Sequence, residues 1–164
     1  MANNVYSTIK LVKGNPEAEA EFIRIFNFIE EFDERGLEFA DFFRTNQEIV
    51  DNDFMETWVG PRIAKLTKFM GTEVEIKSQW ISPHVFLNNL IEHLMDFDTD
   101  VKLCMSYEDE FLNFAGVYVN ERNIEESGGW FKKKFDEEGL EDSRDFLDYV
   151  EECQEIWEQN LICD

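Results

Sequence analysis

Apolar positions recur along the chain with two different periods, and their alternation lays out an ordered set of elements. Residues Val5 to Val12 alternate loosely and stop at Lys13-Gly14, which predicts a first strand. Asn15-Pro16 follows as a helix N-cap with proline at the first helical position, and Glu17, Glu19 and Glu21 suit the positive end of a helix. Phe22, Ile25, Phe26 and Ile29 then repeat at three and four, so this helix buries one stripe, and Gly36 is a plausible stop. Phe39, Phe42, Phe43, Phe54 and Trp58 are bulky and irregularly spaced, which suggests that residues 37–60 are a folded insertion or a short helix on the sheet. Ile63, Leu66 and Phe69 fit either a strand or a short helix after Pro61. Gly71-Thr72 turns the chain into Val74, Ile76, Ser78 and Trp80, a period-two strand.

Ser82-Pro83 is read as a second helix start of the same kind as Asn15-Pro16. Val85, Phe86, Asn89, Leu90, His93 and Leu94 mark its inner side. Val101, Leu103, Met105 and Tyr107 alternate next, and Phe114 to Val119 forms their antiparallel partner across Glu108-Asp109-Glu110. The order β-α-β-β-α-β-β is an α+β pattern with the helices on one face. A last helix begins near Asp142 or Ser143, with Phe146, Val150, Cys153 and Trp157 as its core stripe.

Composition changes the picture through charge. The chain of 164 residues has 15 Lys and Arg against 37 Asp and Glu, a formal charge of −22. With 43% apolar residues and 16 Phe it is no disordered acidic chain. A surface of this sign repels phosphate, which argues against direct contact with nucleic acid or an anionic membrane. The charge is also uneven. From Asp136 onward, twelve acids face Arg144 alone, so 29 residues carry −11, half of the total. This divides the chain into an α+β domain over residues 1–120 and an acidic helical extension over 121–164, packed on it. No run of roughly 18 apolar residues is present, the first residues lack the pattern of a signal peptide, and Cys104, Cys153 and Cys163 have no paired spacing. A cytoplasmic protein is expected.

Candidate chemistry is sparse. Asp96-Phe97-Asp98-Thr99-Asp100 and Asp51-Asn52-Asp53 look like calcium loops. The sixth and twelfth positions, Val101 and Tyr107 or Glu56 and Arg62, lack the required Gly and Glu, so these acids are read as caps and loop residues. His84 and His93 are nine apart on one helix, on opposite faces, and cannot share a metal. Cys104 and Cys153 fall on apolar stripes and are read as buried thiols. No phosphate loop, nucleophile elbow or dinucleotide glycine pattern occurs, so neither a cofactor nor an enzyme is expected; Gly128-Gly129 is read as a flexible junction. Lys132-Lys133-Lys134 between Phe131 and Phe135, and the group Arg62, Lys65 and Lys68, could interleave with bases. In so acidic a chain, pairing with the acidic helix is the expected use.

The acidic helix is the sharpest feature. Asp145, Asp148, Glu152 and Glu155 recur at three and four as an outward stripe, flanked by Glu141, Asp142, Glu151 and Glu158. At a rise of about 1.5 Å per residue, the stripe sets a carboxylate roughly every 5 Å along the axis. DNA sets a phosphate about every 3.4 Å per strand, so the match is loose in spacing but right in sign and linear form. The plainer reading is a solvated helix face.

Asn4 to Gly14, Trp58-Val59-Gly60, Trp80-Ile81-Ser82-Pro83 and Met105 to Gly116, in that order along the chain, together resemble the YubB-type ferredoxin-like family of phage- and plasmid-encoded proteins. Asn4, Ile9, Leu11, Val12 and Gly14 are similar to its opening strand, and Trp58-Val59-Gly60 to its Trp-Gly segment. Trp80-Ile81-Ser82-Pro83 is similar to its Trp-Ser-Pro helix start. Met105-Ser106-Tyr107-Glu108-Asp109-Glu110 with Phe114-Ala115-Gly116 resembles its last two strands. Val5-Tyr6 stand where the family has Trp-Cys, and the acidic helix lies outside the family pattern. The resemblance implies a ferredoxin-like antiparallel sheet with two helices on one face and a mobile-element origin. With the charge, it predicts a non-enzymatic protein that binds a basic host protein and inhibits or redirects it, as a DNA mimic against a nucleic-acid-binding or defence factor. The alternatives are an inhibitor of an ATP-dependent protease, a transcription modulator, or a homodimer built through a sheet edge or exposed Phe residues.

Overall fold

The structure is a computed structural model and describes residues 3–34, 64–79, 82–138 and 145–163. The readings for residues 37–60, Arg62, Ile63, Trp80, Ile81, Glu141 and Asp142 lie outside these. Among the described residues the elements are β1 (Asn4–Lys13), α1 (Pro16–Glu34), β2 (Ala64–Met70), β3 (Glu73–Gln79), α2 (His84–Leu94), β4 (Lys102–Asp109), β5 (Phe114–Val119), β6 (Arg122–Ser127), α3 (Gly128–Glu137) and α4 (Phe146–Cys163). All six strands join one antiparallel sheet in the order β2-β3-β1-β4-β5-β6. The fold is mixed α+β.

The start of α1 follows from its sequence. Asn15 Oδ1 accepts from the Ala18 amide at 2.8 Å, as an N-cap should, while Asn15 Nδ2 donates to the Phe97 carbonyl at 2.7 Å. Asp98 completes the junction, accepting from Asn15 N and Asp100 N at 2.8 and 2.9 Å, so it serves as a local cap. The α2 start differs from expectation. Pro83, not Ser82, is the N-cap, and no side chain caps the helix. Ser82 is buried, and its carbonyl accepts from His84 Nδ1 at 3.1 Å.

Alternation decides which residues face which layer. Val5 and Ile9, Val74 and Ile76, and Leu103, Met105 and Tyr107 point to one face, where Phe22, Ile25, Phe26 and Ile29 of α1 and Phe86, Leu87, Leu90 and Leu94 of α2 complete the main core. The Phe22 and Phe26 rings meet tilted at 4.7 Å between centroids, and Phe86 meets Phe26 edge-on at 6.1 Å. The second face carries α3 and α4. Cys104, Val117 and Val119 pack under Leu161, and Ala115 under Phe131, Tyr149 and Val150. Trp130, Phe131 and Trp157 form a tight aromatic group, with centroids 5.2 to 5.8 Å apart.

Of the two forms open to residues 64–70 the structure has the strand, paired with β3, and three further readings change. Arg122–Ser127, assigned to the extension, is the sixth strand of the sheet. The core of α4 includes a polar residue: Gln154 is buried, and its Nε2 donates to the carbonyls of Tyr107 and Gly116 at 3.0 and 3.2 Å. Gly128-Gly129 is no loose junction but the first turn of α3, capped by Ser127 Oγ, which accepts from Trp130 N at 3.1 Å.

Candidate functional site

The acidic residues of the last helix separate by role. Asp145 stands just before α4; its Oδ1 accepts from Leu147 N at 3.3 Å and its carbonyl from Tyr149 N at 3.2 Å. It caps the helix, and the exposed Asp148 in the first turn adds a favourable charge at the same positive end. At the opposite end, Lys102 Nζ donates to the Ile162 carbonyl at 3.0 Å and Arg122 to the Leu161 carbonyl at 3.4 Å. Two of the stripe residues are thus accounted for by helix stability. Glu152 is half-buried and Glu155 exposed, so the row is not uniformly outward.

The other acids meet the sheet. Glu151, Glu155 and Glu158 form one wall of a groove of about 370 Å³ on the second face, where no described helix covers β1 and β3. Strand register builds the floor. Thr8 lies between Glu75 of β3 and Ser106 of β4, Tyr6 lies beside Glu108, and Lys10 beside Cys104, all on the face opposite the main core. Thr67 closes the far side, its hydroxyl donating to the Glu75 carbonyl at 3.2 Å. Among the described residues, five carboxylates therefore line the groove (Glu75, Glu108, Glu151, Glu155 and Glu158) against one lysine, Lys10.

The electrostatics of the floor follow first from burial and then from these neighbouring carboxylates. Burial, then the Glu151 and Asp109 carboxylates, raises the pKa of Glu108 above the ordinary carboxylate value. Its Oε2 is buried without a hydrogen-bond partner. The Cys104 thiol is pushed up to about 12, chiefly by burial and then by the Glu158 carboxylate, to which it hydrogen-bonds, with Lys10 opposing. A thiol held protonated in this way is a packing group and a weak donor, not a nucleophile.

The Lys132-Lys133-Lys134 run does not pair with α4 among the described residues. Lys134 joins Glu137 on its own helix at 3.7 Å and lies over the Trp130 ring at 6.0 Å, while Lys132 and Lys133 are exposed. Phe131 is fully buried and Phe135 packs on Phe146 and Tyr149, so neither offers a free stacking surface. His84 opens α2, and His93 faces Glu21 at 3.6 Å with its ring on Phe97. No helix among the described residues is long and apolar enough to cross a membrane.

Sequence reasoning missed Glu75, Glu108 and Lys10. The signal was present: Tyr6, Thr8 and Lys10, Glu73, Glu75 and Lys77, and Ser106 and Glu108 are the polar halves of three alternating strands. What defines the site is thus an α+β protein with a carboxylate-lined groove between a sheet face and its last helix. The chain matches no known protein family, curated protein or solved structure.

Proposed function

We propose that this is a non-enzymatic binding protein that takes a basic segment of a partner protein into the groove between α4 and the open face of β1 and β3. The observation that carries this reading is the excess of carboxylates, five to one lysine among the described lining residues of a cavity of about 370 Å³. Glu108, held from ionising by burial and then by the Glu151 and Asp109 carboxylates, gains its missing counter-charge from an incoming Lys or Arg. The net charge of −22 steers such a partner from a distance and disfavours nucleic acid. The protonated Cys104 thiol supports binding over thiol chemistry.

The order β-α-β-β-α-β, with strands arranged β4-β1-β3-β2 in the sheet, supports a ferredoxin-like core extended by β5 and β6. Together with the YubB-type resemblance it supports a phage- or plasmid-encoded protein that acts on a host factor in the cytoplasm. DNA mimicry is the form this takes if the partner's basic segment normally holds a phosphate backbone.

The test is capture from host lysate by wild type and by the variant Glu151→Lys/Glu155→Lys/Glu158→Lys, at low and high salt, followed by titration of the purified partner. We expect a basic partner whose binding weakens about a hundredfold in the variant and falls with salt. Displacement of that partner by duplex DNA identifies mimicry. Equal affinity of variant and wild type at low salt refutes the groove, and a salt-resistant dimer in sedimentation supports the homodimer instead.

A further inference from the structure

The other face of the sheet carries a second cavity, of about 290 Å³, toward the β5–β6 end. Its floor depends on a glycine. β5 presents Phe114, Gly116 and Tyr118 on this side, and Tyr107 of β4 is the register partner of Gly116. The Tyr107 ring lies across the glycine, since a Cβ there would stand 2.4 Å from Tyr107 Oη and 2.7 Å from the Ile124 carbonyl oxygen. Tyr107, Phe114 and Tyr118 thus line one cavity, with the first two rings 6.2 Å apart.

The polar groups around these rings are fixed. Tyr107 Oη lies 2.7 Å from Asn123 Oδ1 and 2.9 Å from Glu125 Oε1, and Tyr118 donates to Asn88 Oδ1 at 2.8 Å. His84 donates through Nδ1 to the Ser82 carbonyl at 3.1 Å, which leaves Nε2 as an acceptor in the neutral ring. Glu125 is exposed, and among the described residues no Lys or Arg lines the cavity with it. Three aromatic side chains and one carboxylate, with no Lys or Arg among the described lining residues, favour one ligand chemistry. A metal ion would need more oxygen donors, an anion would be repelled by Glu125, and an apolar molecule would make no use of it.

We propose that this cavity binds a small alkylammonium cation, with the charge on Glu125 and the alkyl surface against Tyr107, Phe114 and Tyr118. The ring quadrupoles attract the cation, and the volume lies near the lower end for small-molecule sites. The site faces away from the acidic groove and does not depend on the function proposed for it.

Choline and its uncharged carbon analogue, with tert-butyl in place of trimethylammonium, separate charge from shape. Titration of the full chain by calorimetry, with ring-proton shifts in NMR, should give saturable choline binding and at least about tenfold weaker binding of the analogue. Glu125→Gln and Phe114→Leu should each weaken choline about tenfold, while Glu151→Gln in the other groove leaves it unchanged. Equal binding of choline and the analogue, no saturation by choline, or unaltered affinity in folded Glu125→Gln overturns the proposal.

Discussion

Gly128 and Gly129 are neighbours in the first turn of one helix, yet the same substitution should act on them with opposite sign. A Cβ built on Gly128 would lie 1.9 Å from the carbonyl oxygen of Leu112 and 3.1 Å from its carbonyl carbon. An ordinary carbon–oxygen contact is more than about 1 Å longer, and the obstacle is backbone, which cannot rotate aside. The loop behind it is tied in place, because Gly128 N donates to the Asn113 carbonyl at 2.9 Å and Leu112 N to Asp109 at 3.0 Å. Asp109 is buried and accepts from Asn3, Asn113 and Phe114 N at 2.7, 2.8 and 3.2 Å. Making room for one methyl group therefore moves either the start of α3 or the whole β4–β5 loop. Overpacking of this kind costs about 3 kcal/mol at the upper end of its usual range. For a chain of this size each kcal/mol moves Tm by about 2–4 °C, so Gly128→Ala should melt about 6–12 °C lower.

At Gly129 the nearest atom to the added Cβ is Ser127 Oγ, at 3.8 Å, an ordinary contact. The methyl group enters open space and removes backbone freedom from the unfolded chain, so Gly129→Ala should gain up to about 1 kcal/mol and melt up to about 4 °C higher. Calorimetry on the two variants, checked by urea denaturation, measures both. Equal shifts of the same sign, or Gly128→Ala within about 1 °C of wild type, would refute the close approach.

Three other outcomes follow from the same structure. Asn120 and Glu121 form the two-residue β5–β6 turn, both with positive φ (42° and 74°), and only the second is a residue that resists that conformation; Glu121→Gly should raise stability by about 1 kcal/mol in urea denaturation. Cys104, with its thiol pushed up to about 12, should resist alkylation near pH 8 in the folded protein while exposed Cys163 reacts, and the lag should vanish in urea; comparable rates for the two would contradict the buried, acid-flanked position. Glu108 has a folded pKa above its unfolded one, so its ionisation destabilises the fold as pH rises through that range; Glu108→Gln should raise Tm near neutral pH and have no such effect well below the carboxylate range.

Much of the fold was legible because it rests on local signals. The Asn15 cap, the α1 stripe and the alternation of β1, β3, β4 and β5 are each decided within a few residues. β6 was missed because Arg122-Asn123-Ile124-Glu125-Glu126-Ser127 holds one apolar residue, as suits an edge strand that packs little and faces water. Gln154 was missed for a related reason. A polar residue at the centre of a buried face is accepted only because two strand carbonyls stand within reach, and the sequence of the helix carries no trace of them. The groove needed tertiary knowledge of another kind. The polar halves of three strands and the acids of α4 were all readable, but their meeting depends on which half of the sheet the helix covers.

That offset is what gives the molecule its two cavities. α1 and α2 centre on β3, β1 and β4 from one side, while α3 and α4 centre on β5 and the edge of β4 from the other. β4 is where the two layers overlap, and Leu103, Cys104 and Met105 are consequently buried in succession although they point alternately to opposite faces. Beyond the overlap each face is left open at the end its helices do not reach. Adjacent residues of β4 then serve opposite sites: Tyr107 floors the aromatic cavity and Glu108 the acidic groove. Both lie on an internal strand, paired on each side by backbone hydrogen bonds and tied through the Tyr107 carbonyl to Gln154. A ligand on either face therefore meets side chains already in position, and little of its binding energy goes into ordering them.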